Sequence, residues 1–399
     1  MHAKQVCHKI MNHALDWMHK LRRDALTSCI LAAINGQRLS VTGLGRAIHS
    51  QAKEKHCIKR ADRLLSNRHL QKEQADIYQV FSHIIIGATH RPVILVDWSD
   101  LDGGKRHYLL RASLALEGRP LTLYEETHTL LTKDKPKSQR LFLKRLKEKL
   151  PEKCCPIIVT DAGFRTAWFK RVEQVGWDWI GRVRNQHLVK TTKNTAWHDC
   201  KSYYASATAR PKSLGDVTLT RKHEVNCRLV LVKSKAKGRN KLTLFGERAR
   251  SGKSESNARR EREPWLIATS LPATYQFAKR IVRLYATRMQ IEEAFRDTKS
   301  LQFGLGFELN RSYTTERIQI LLLIAMLATF VLWLLGSIAK STGQYRHYQA
   351  NTVKNRTVLS LTYLGLRVAN DKRFIMDEKD LKHAAQILWE MGDQYDLAA

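Results

Sequence analysis

Two aspartates occur in settings that suit the chemistry of phosphate esters. Asp97 follows the aliphatic run Val93–Val96, and Asp161 follows the run Pro156–Thr160. Each run predicts a buried strand, and catalytic groups collect at the carboxyl ends of strands in α/β sheets. A single aspartate at a strand end is as typical of a turn as of a site. In combination, the two carboxylates indicate a site for Mg²⁺, with Mn²⁺ as a substitute, since both cations prefer oxygen ligands.

The third candidate is Glu292, in a segment that we predict to be one helix, Leu284–Leu301. Arg288, Glu292 and Lys299 follow Tyr285 by 3, 7 and 14 residues. On a continuous helix these offsets fall within an arc of roughly 60°. A solvated charged face is the alternative. Here, however, the acid lies between two cations, at a spacing that suits successive phosphates.

These residue types together predict hydrolysis or transfer of a phosphodiester. Such a reaction requires activation of water or of a 3′-hydroxyl. It also requires stabilisation of the charge that develops on the in-line transition state. Three carboxylates that hold two metal ions meet both requirements. Arginine and lysine beside them would fix the phosphate backbone. Asp100, which lies nearer the Asp102–Gly104 turn, is interpreted as structural.

The composition favours a polyanionic partner. Lys and Arg number 69 against 37 Asp and Glu, a formal net charge of +32. Nucleic acid rewards such an excess through counterion release. An anionic membrane surface is the second choice, and a basic protein kept soluble by its charge is the third. Seven cysteines without a C-x-x-C motif argue against a disulfide framework or a structural zinc site, and indicate reduced thiols in the cytoplasm.

One segment, Ile320–Ala339, is almost wholly apolar and long enough to cross a bilayer. We predict that it is instead a central helix buried by a large domain, because the motif helix before it needs a core to pack against. The N-terminus has no continuous apolar region, so no secretory signal is expected. We therefore expect no membrane association.

The N-terminal segment resembles a helix-turn-helix reader of DNA. A short helix, Val41–His49, is followed by a turn and a second helix, Lys55–Leu65. Lys59, Arg60 and Arg63 give the second helix a basic surface beside its apolar stripe. A solvated basic face would give the same pattern, so both interpretations stay open.

The order of the elements predicts an α/β fold with a mixed sheet: three meandering strands, then helix, strand, helix and strand. We expect five segments, which are a helical DNA-binding domain at 1–90, the first part of the α/β core at 91–184, a β-rich insertion at 185–270, the second part of the core at 271–344, and a helical C-terminal region at 345–399. The insertion includes a basic, polar stretch, Ser234–Glu263, which is predicted to be a mobile loop.

The spacing Tyr285-x2-Arg288-x3-Glu292-x6-Lys299 resembles the signature of the insertion-sequence transposases of family four. The segments VDWSD around Asp97 and DAGF around Asp161 resemble the first two acidic motifs of that family. Further similarity covers most of the chain, including RMQIEEAFRD and QANTVKNR. The nearest branch is the one that includes the transposase of composite transposon ten.

The resemblance implies an RNase H-like core with a β-strand insertion between the second and third acids. The 131 positions from Asp161 to Glu292 are too many for a single crossover, which agrees with such an insertion. The family also implies cut-and-paste transposition through a DNA hairpin, during which a base is flipped onto an aromatic side chain. Trp265 matches that aromatic role, and Met289 matches a wedge. A core position in its strand is the alternative for Trp265.

The resemblance further implies double-stranded DNA partners, the terminal inverted repeats and a target, with a homodimer in the synaptic complex. The expected location is the bacterial cytoplasm, in association with the nucleoid. Three alternatives stay open: an RNase H-like nuclease or resolvase without strand transfer, a non-catalytic DNA-binding relative, and a membrane protein with a single span. The repeat sequence and the target preference do not follow from the sequence.

Overall fold

The computed structural model describes residues 1–184, 187–192, 196–233, 247–252, 254–255 and 263–395. The chain divides into two compact units. The first unit comprises Met1–Pro156 and Arg288–Leu397, and the second comprises Ile157–Thr287. Most of the predicted mobile loop, Ser234–Glu263, lies outside the described residues.

The helices are concentrated in the first unit. The described residues form twelve α-helices, namely α1 Ala3–Ala14, α2 Lys20–Gly36, α3 Val41–Ala47, α4 Glu54–Leu65, α5 Arg68–Ile86, α6 Pro136–Lys149, α7 Thr166–Gln174, α8 Phe277–Ala286, α9 Met289–Lys299, α10 Thr315–Ser341, α11 Leu361–Ala369 and α12 Glu378–Asp393. Only α7 and α8 of these belong to the second unit.

The strands of the described residues are β1 Val93–Asp100, β2 His107–Leu114, β3 Leu121–Thr129, β4 Ile157–Thr160, β5 Asp178–Val183, β6 Leu188–Thr191, β7 His198–Asp199, β8 Lys212–Leu219, β9 Val225–Val232 and β10 Trp265–Thr269. In the first unit, β1, β2 and β3 form an antiparallel meander. In the second unit the order is β4-β5-β10-β9-β8-β6-β7, with β4 and β5 parallel and the remaining pairs antiparallel. The predicted α/β class with a mixed sheet is confirmed.

Helix α10 forms the core of the first unit. It contains the apolar run Ile320–Ala339, and every residue of that run except Thr329 is buried. The helix is long and apolar enough to cross a membrane, but 89% of its most apolar window is buried inside the protein. A helix that is apolar on all sides needs such an environment. The structure thus agrees with the predicted central core helix.

Two glycines allow α10 and α11 to approach closely. A Cβ atom added at Gly336 would lie 1.9 Å from the Leu361 carbonyl oxygen, and one added at Gly365 would lie 1.8 Å from the Leu332 carbonyl oxygen. Backbone atoms cannot move aside as a flexible side chain can, so this crossing requires glycine on both helices.

The N-terminal helices α3 and α4 form a tight pair. A Cβ atom at Gly45 would lie 2.4 Å from the Ile58 Cα atom, so the first helix of the pair contacts the backbone of the second. Ser40 caps α3 by accepting a hydrogen bond from the Gly43 amide at 3.1 Å. The apolar side of α4 is buried, which leaves a solvent-facing surface. The basic residues predicted for that surface are exposed, namely Lys59, Arg60 and Arg63.

In the second unit, α7 packs on β5 through aromatic stacking. The rings of Phe169 and Trp179 are parallel within 9°, with centroids 4.0 Å apart. A Cβ atom at Gly181 would come within 2.4 Å of the Phe169 ring, so the glycine makes room for this stack. The stack anchors β5 and, through their parallel pairing, β4.

Two sequence-based boundaries are wrong. Strand β1 does not end before Asp97 but continues to Asp100, because its antiparallel pairing with β2 runs from Ile94 to that residue. The predicted helix Leu284–Leu301 is interrupted between α8 and α9. At the interruption, the Thr287 hydroxyl donates to the Leu284 carbonyl at 2.7 Å, and the Thr287 amide bonds the same carbonyl at 3.2 Å. Tyr285 therefore lies on a different helix from Glu292.

Candidate active site

Asp97 lies on β1 of the first unit, opposite Arg111 of β2. Its side chain is 12% exposed, and its Oδ1 atom accepts a hydrogen bond from the Trp98 amide at 2.8 Å. The strand buries the backbone and directs this carboxylate to a partly accessible position. Carboxylate oxygens are the ligand type that a hard cation prefers.

Arg288 joins two of the predicted acids. Its Nη1 atom lies 2.6 Å from Glu292 Oε1 and 3.6 Å from Asp97 Oδ2. The guanidinium is 15% exposed, whereas the Glu292 carboxylate is 46% exposed. The cation thus offsets the repulsion between two carboxylates that come from separate elements, β1 and α9. The structure places Arg288 in contact with both Asp97 and Glu292.

Lys299 connects the end of α9 to β1. Its ammonium donates to Ser99 Oγ at 2.8 Å and to the Asp100 carbonyl at 3.1 Å. Burial lowers the pKa of Lys299, and the nearby charge of Asp100 opposes this shift only in part. The Asp100 carboxylate itself lies 3.6 Å from Lys133 Nζ. These contacts position Lys299 beside the strand that carries Asp97.

Asp161 belongs to the second unit, where it directly follows β4, as the sequence predicts. Its side chain is partly exposed, and its Oδ1 atom accepts a hydrogen bond from the Gly163 amide at 2.8 Å. This turn leaves the carboxylate at the carboxyl end of a buried parallel strand. Such strand ends carry ligands in α/β sheets.

Trp265 and Tyr285 contact each other in the second unit. Their rings are 5.1 Å apart and nearly perpendicular, at 78°. Tyr285 is only 3% exposed, whereas Trp265 at the start of β10 is half-buried. The edge-to-face contact fixes the plane of the indole, which suits either a core position or a platform for a base.

Met289 is an exposed apolar residue beside Arg288, which pairs with both acids of the first unit. It is 43% exposed, and its sulfur accepts a hydrogen bond from Arg288 Nη2 at 3.2 Å. An exposed, flexible thioether next to a cation and two carboxylates is compatible with the predicted wedge between base steps.

A buried polar network that the sequence did not predict lies on β2, opposite Asp97, and on β3. Arg111 Nε donates to Glu125 Oε2 at 2.6 Å, and the two side chains are 3% and 1% exposed. The Tyr78 hydroxyl donates to Glu125 Oε1 at 3.0 Å, while Arg111 Nη1 donates to Thr298 Oγ1 of α9 at 3.2 Å. The network therefore ties α9 to β2 and β3. Its only signal in the sequence is a pair of charged residues inside apolar strands.

A second missed contact anchors the outer side of α9. Arg119, in the loop between β2 and β3, forms ion pairs with Glu293 at 3.0 Å and with Asp297 at 2.5 Å. Burial raises the pKa of Asp297 more than Arg119 lowers it. Glu293 thus has a structural partner, whereas Glu292 pairs with Arg288.

The donor chemistry of the acids suits a hard divalent cation. Asp97 and Glu292 supply carboxylate oxygens, and Arg288 shows that a positive charge is accommodated between them. Across the ranges that the structure describes, no group of three or more His, Cys, Asp or Glu side chains is arranged to hold a metal ion. The seven cysteines are all free, and six of them are buried.

Comparisons of the chain with curated proteins and with family models gave one match. No curated protein matches it. A family model described as "Transposase DDE domain" matches residues 88–331, a range that includes Asp97, Asp161 and Glu292. Transposases of this type act on DNA and generally use divalent metal ions. Because the match covers well over half of the sequence, the chain belongs to the Transposase DDE domain family.

Proposed function

We propose that this protein performs cut-and-paste transposition of an insertion sequence. The observation that carries the proposal is the pair of carboxylates, Asp97 and Glu292, held on either side of Arg288 within the range that matches the family. In the proposed sequence of steps, water nicks the end of the element, and the freed 3′-hydroxyl attacks the opposite strand to give a hairpin. The hairpin is then opened, and the ends are joined to target DNA.

Asp97, Asp161 and Glu292 are the proposed ligands of two Mg²⁺ ions, with Mn²⁺ as a substitute. When bound, the ions supply activation of the attacking oxygen and stabilisation of the charge on the phosphorane-like transition state. Arg288 and Lys299 contribute positive charge beside the acids, where they bind the phosphates of the scissile strand. The partial exposure of Glu292 is consistent with access to DNA.

The remaining proposed contacts concern DNA away from the acids. The exposed basic side chains of α4, which are Lys59, Arg60 and Arg63, bind the backbone of the terminal inverted repeats. Trp265 stacks on a flipped base, with Tyr285 behind it, and Met289 enters the stack of bases. The large positive charge favours both the element ends and the target duplex.

We further propose membership of family four, closest to the branch of composite transposon ten, and an RNase H-like core with the five-segment division given above. Two ends must be synapsed, so a homodimer is expected on DNA. The expected location is the bacterial cytoplasm, with the nucleoid as the site of action, and the burial of α10 supports a protein without a membrane span.

The test uses DNA duplexes taken from both flanks of the coding sequence, chosen where the two flanks match as inverted repeats. We expect the wild-type protein to produce nicks and then hairpins with Mg²⁺, and neither product in EDTA. Glu292→Ala should bind the duplex as well as wild type but leave it uncut. Glu293→Ala is the matched control, because its carboxylate pairs with Arg119 and Arg296 instead. Cleavage by Glu292→Ala, or lost binding with unchanged chemistry, would refute the assignment.

The same assay separates transposition from simple nuclease activity. A nuclease or resolvase would give nicks that never progress to hairpins or to joined target DNA. A non-catalytic DNA-binding relative would shift the duplex in a gel and give no cleavage product with either Mg²⁺ or Mn²⁺.

A further inference from the structure

A groove of about 610 Å³ opens beside Lys299 in the first unit. One wall is the turn between β1 and β2, which includes Lys105 and Arg106, and the opposite wall is the segment before α10, which includes Arg311 and Tyr313. The volume is in the range of sites that enclose a ligand the size of a nucleotide. Lys299 at one end connects the groove to the strand that carries Asp97.

Tyr313 is an exposed aromatic side chain in this groove. It is 63% exposed, although large aromatic residues usually bury most of their surface. The guanidinium of Arg106 lies over its ring, 4.8 Å from the centroid. An aromatic ring paired with an arginine plane is the arrangement on which unpaired nucleic-acid bases stack.

A line of arginines extends from the groove. Arg311 lines it and also lines a neighbouring groove of about 580 Å³. Arg38, which precedes α3, and Arg46, in the last turn of α3, line that second groove. Cations along two grooves that share Arg311 can pair with the phosphates of a strand.

The acids in the first groove are already engaged. Asp102 accepts hydrogen bonds from the amides of Arg106 and His107 at 3.2 and 3.1 Å. Burial raises the pKa of Asp102, but these hydrogen bonds outweigh it and the net shift is downward. Glu308 accepts from the Leu301 amide at 2.9 Å, and Asp100 lies 3.6 Å from Lys133. Their charge is thus partly compensated before a ligand binds.

We propose that this groove binds an unpaired DNA segment, with one base stacked on Tyr313 and Arg106 and with the strand passing Lys299 towards Arg311. This inference rests on the proposed function, because it takes DNA as the ligand. It adds a binding site whose lining includes none of Asp97, Glu292 and Met289. The exposed ring supplies sequence-tolerant stacking, and the cations supply the backbone contacts.

The test measures binding in EDTA, so it does not depend on cleavage. The probes are a fluorescent single-stranded thymidine 12-mer and a 12-mer of the same length whose sugars carry no bases. We expect wild type to prefer the strand with bases, and Tyr313→Ala to bind that strand roughly 5- to 100-fold more weakly. The same substitution should leave binding of the baseless strand unchanged.

Two further variants make the test specific. Tyr313→Phe keeps the ring and should restore most of the preference for bases. Tyr345→Ala is the matched control, because Arg346 also lies over the Tyr345 ring, at 6.0 Å, but that pair does not line the groove. Equal binding of both strands by wild type, or a Tyr313→Ala protein that keeps the preference, would overturn the proposal. If transposition failed as the function, the cleavage assay would show it while the stacking result could still stand.

Discussion

The Lys299 ammonium donates a hydrogen bond to Ser99 Oγ at 2.8 Å. This contact joins the last residue of α9 to the strand that carries Asp97, whereas Arg288 joins the two elements at the start of the same helix. The helix that bears Glu292 is thus attached to β1 at both ends. Its buried side is held by Arg111 through Thr298. The side chains of Arg288 and Lys299 therefore hold the helix of Glu292 against the strand of Asp97.

Loss of either cation should weaken DNA contact in a salt-dependent manner. For Arg288→Ala and Lys299→Ala, we expect the slope of log binding constant against log salt to fall by about 1 for each phosphate contact removed. Fluorescence anisotropy with end DNA at several salt concentrations measures this slope. Lys340→Ala is the control, since Lys340 forms a surface pair with Glu117 at 3.1 Å. An unchanged slope in both active-site variants would exclude the phosphate role.

Removal of the Arg288 charge should also make the protein depend on divalent cations for stability. Without the guanidinium, Asp97 and Glu292 repel each other, and a bound cation would relieve the repulsion. We expect Arg288→Ala to have a lower melting temperature than wild type in EDTA. When Mg²⁺ is added, its melting temperature should rise by more than that of wild type. Differential scanning fluorimetry measures both shifts. Equal gains in the two proteins would argue against cation binding between these acids.

Substitution of Arg111 should destabilise the first unit strongly. Arg111→Met leaves Glu125 buried without its cation, and breaking such a pair costs about 3–5 kcal/mol. Urea denaturation followed by tryptophan fluorescence gives the change in midpoint. The double variant Arg111→Met/Glu125→Gln should recover part of the loss, because it removes the uncompensated charge. A double variant no more stable than the single one would show that the Thr298 and Tyr78 contacts dominate.

The crossing of α10 and α11 predicts intolerance of one methyl group. Gly365→Ala places a Cβ atom against the Leu332 carbonyl, and overpacking of this kind costs at least about 1–3 kcal/mol. Thermal melting should show a clear decrease. Gly103→Ala is the matched control, because its Cβ would meet no atom within 4 Å. Similar melting temperatures for the two variants would contradict the observed packing.

Acid should weaken the packing of α6 on β3 through Glu126. Burial raises the pKa of Glu126, but the His128 ring 3.2 Å away, the hydrogen bond from the Tyr124 hydroxyl and the charge of Arg145 outweigh it, so the net shift is downward from 4.5. A carboxylate with a lowered folded-state pKa stabilises above its unfolded pKa, and this contribution is lost as the pH falls through the folded value. As the pH is lowered from 5, the urea midpoint of Glu126→Gln should therefore fall less than that of wild type. If the midpoints of the two proteins fall equally with pH, Glu126 is not the cause of the acid sensitivity.

Much of the candidate site could be predicted from local patterns. Aliphatic runs located β1 and β4, and the spacing of Arg288, Glu292 and Lys299 located α9. The uninterrupted apolarity of Ile320–Ala339 indicated a helix that needs burial on all sides, which α10 has. Charge alone indicated a polyanionic partner. These features depend on periodicity and composition, which a sequence displays directly.

Other features were decided only by tertiary contacts. One exception is local: the break at Thr287 coincides with a hydrogen bond from its hydroxyl to the Leu284 carbonyl, three residues earlier, and it separates Tyr285 from the acidic row. The extension of β1 to Asp100 depends on its pairing with β2. Arg111 and Glu125 meet across adjacent strands, and Arg106 meets Tyr313 across some 200 positions of sequence. The sequence by itself thus determined the chemistry available to this protein, whereas long-range pairing decided which charged groups stand together, because such contacts leave no periodic trace in the chain.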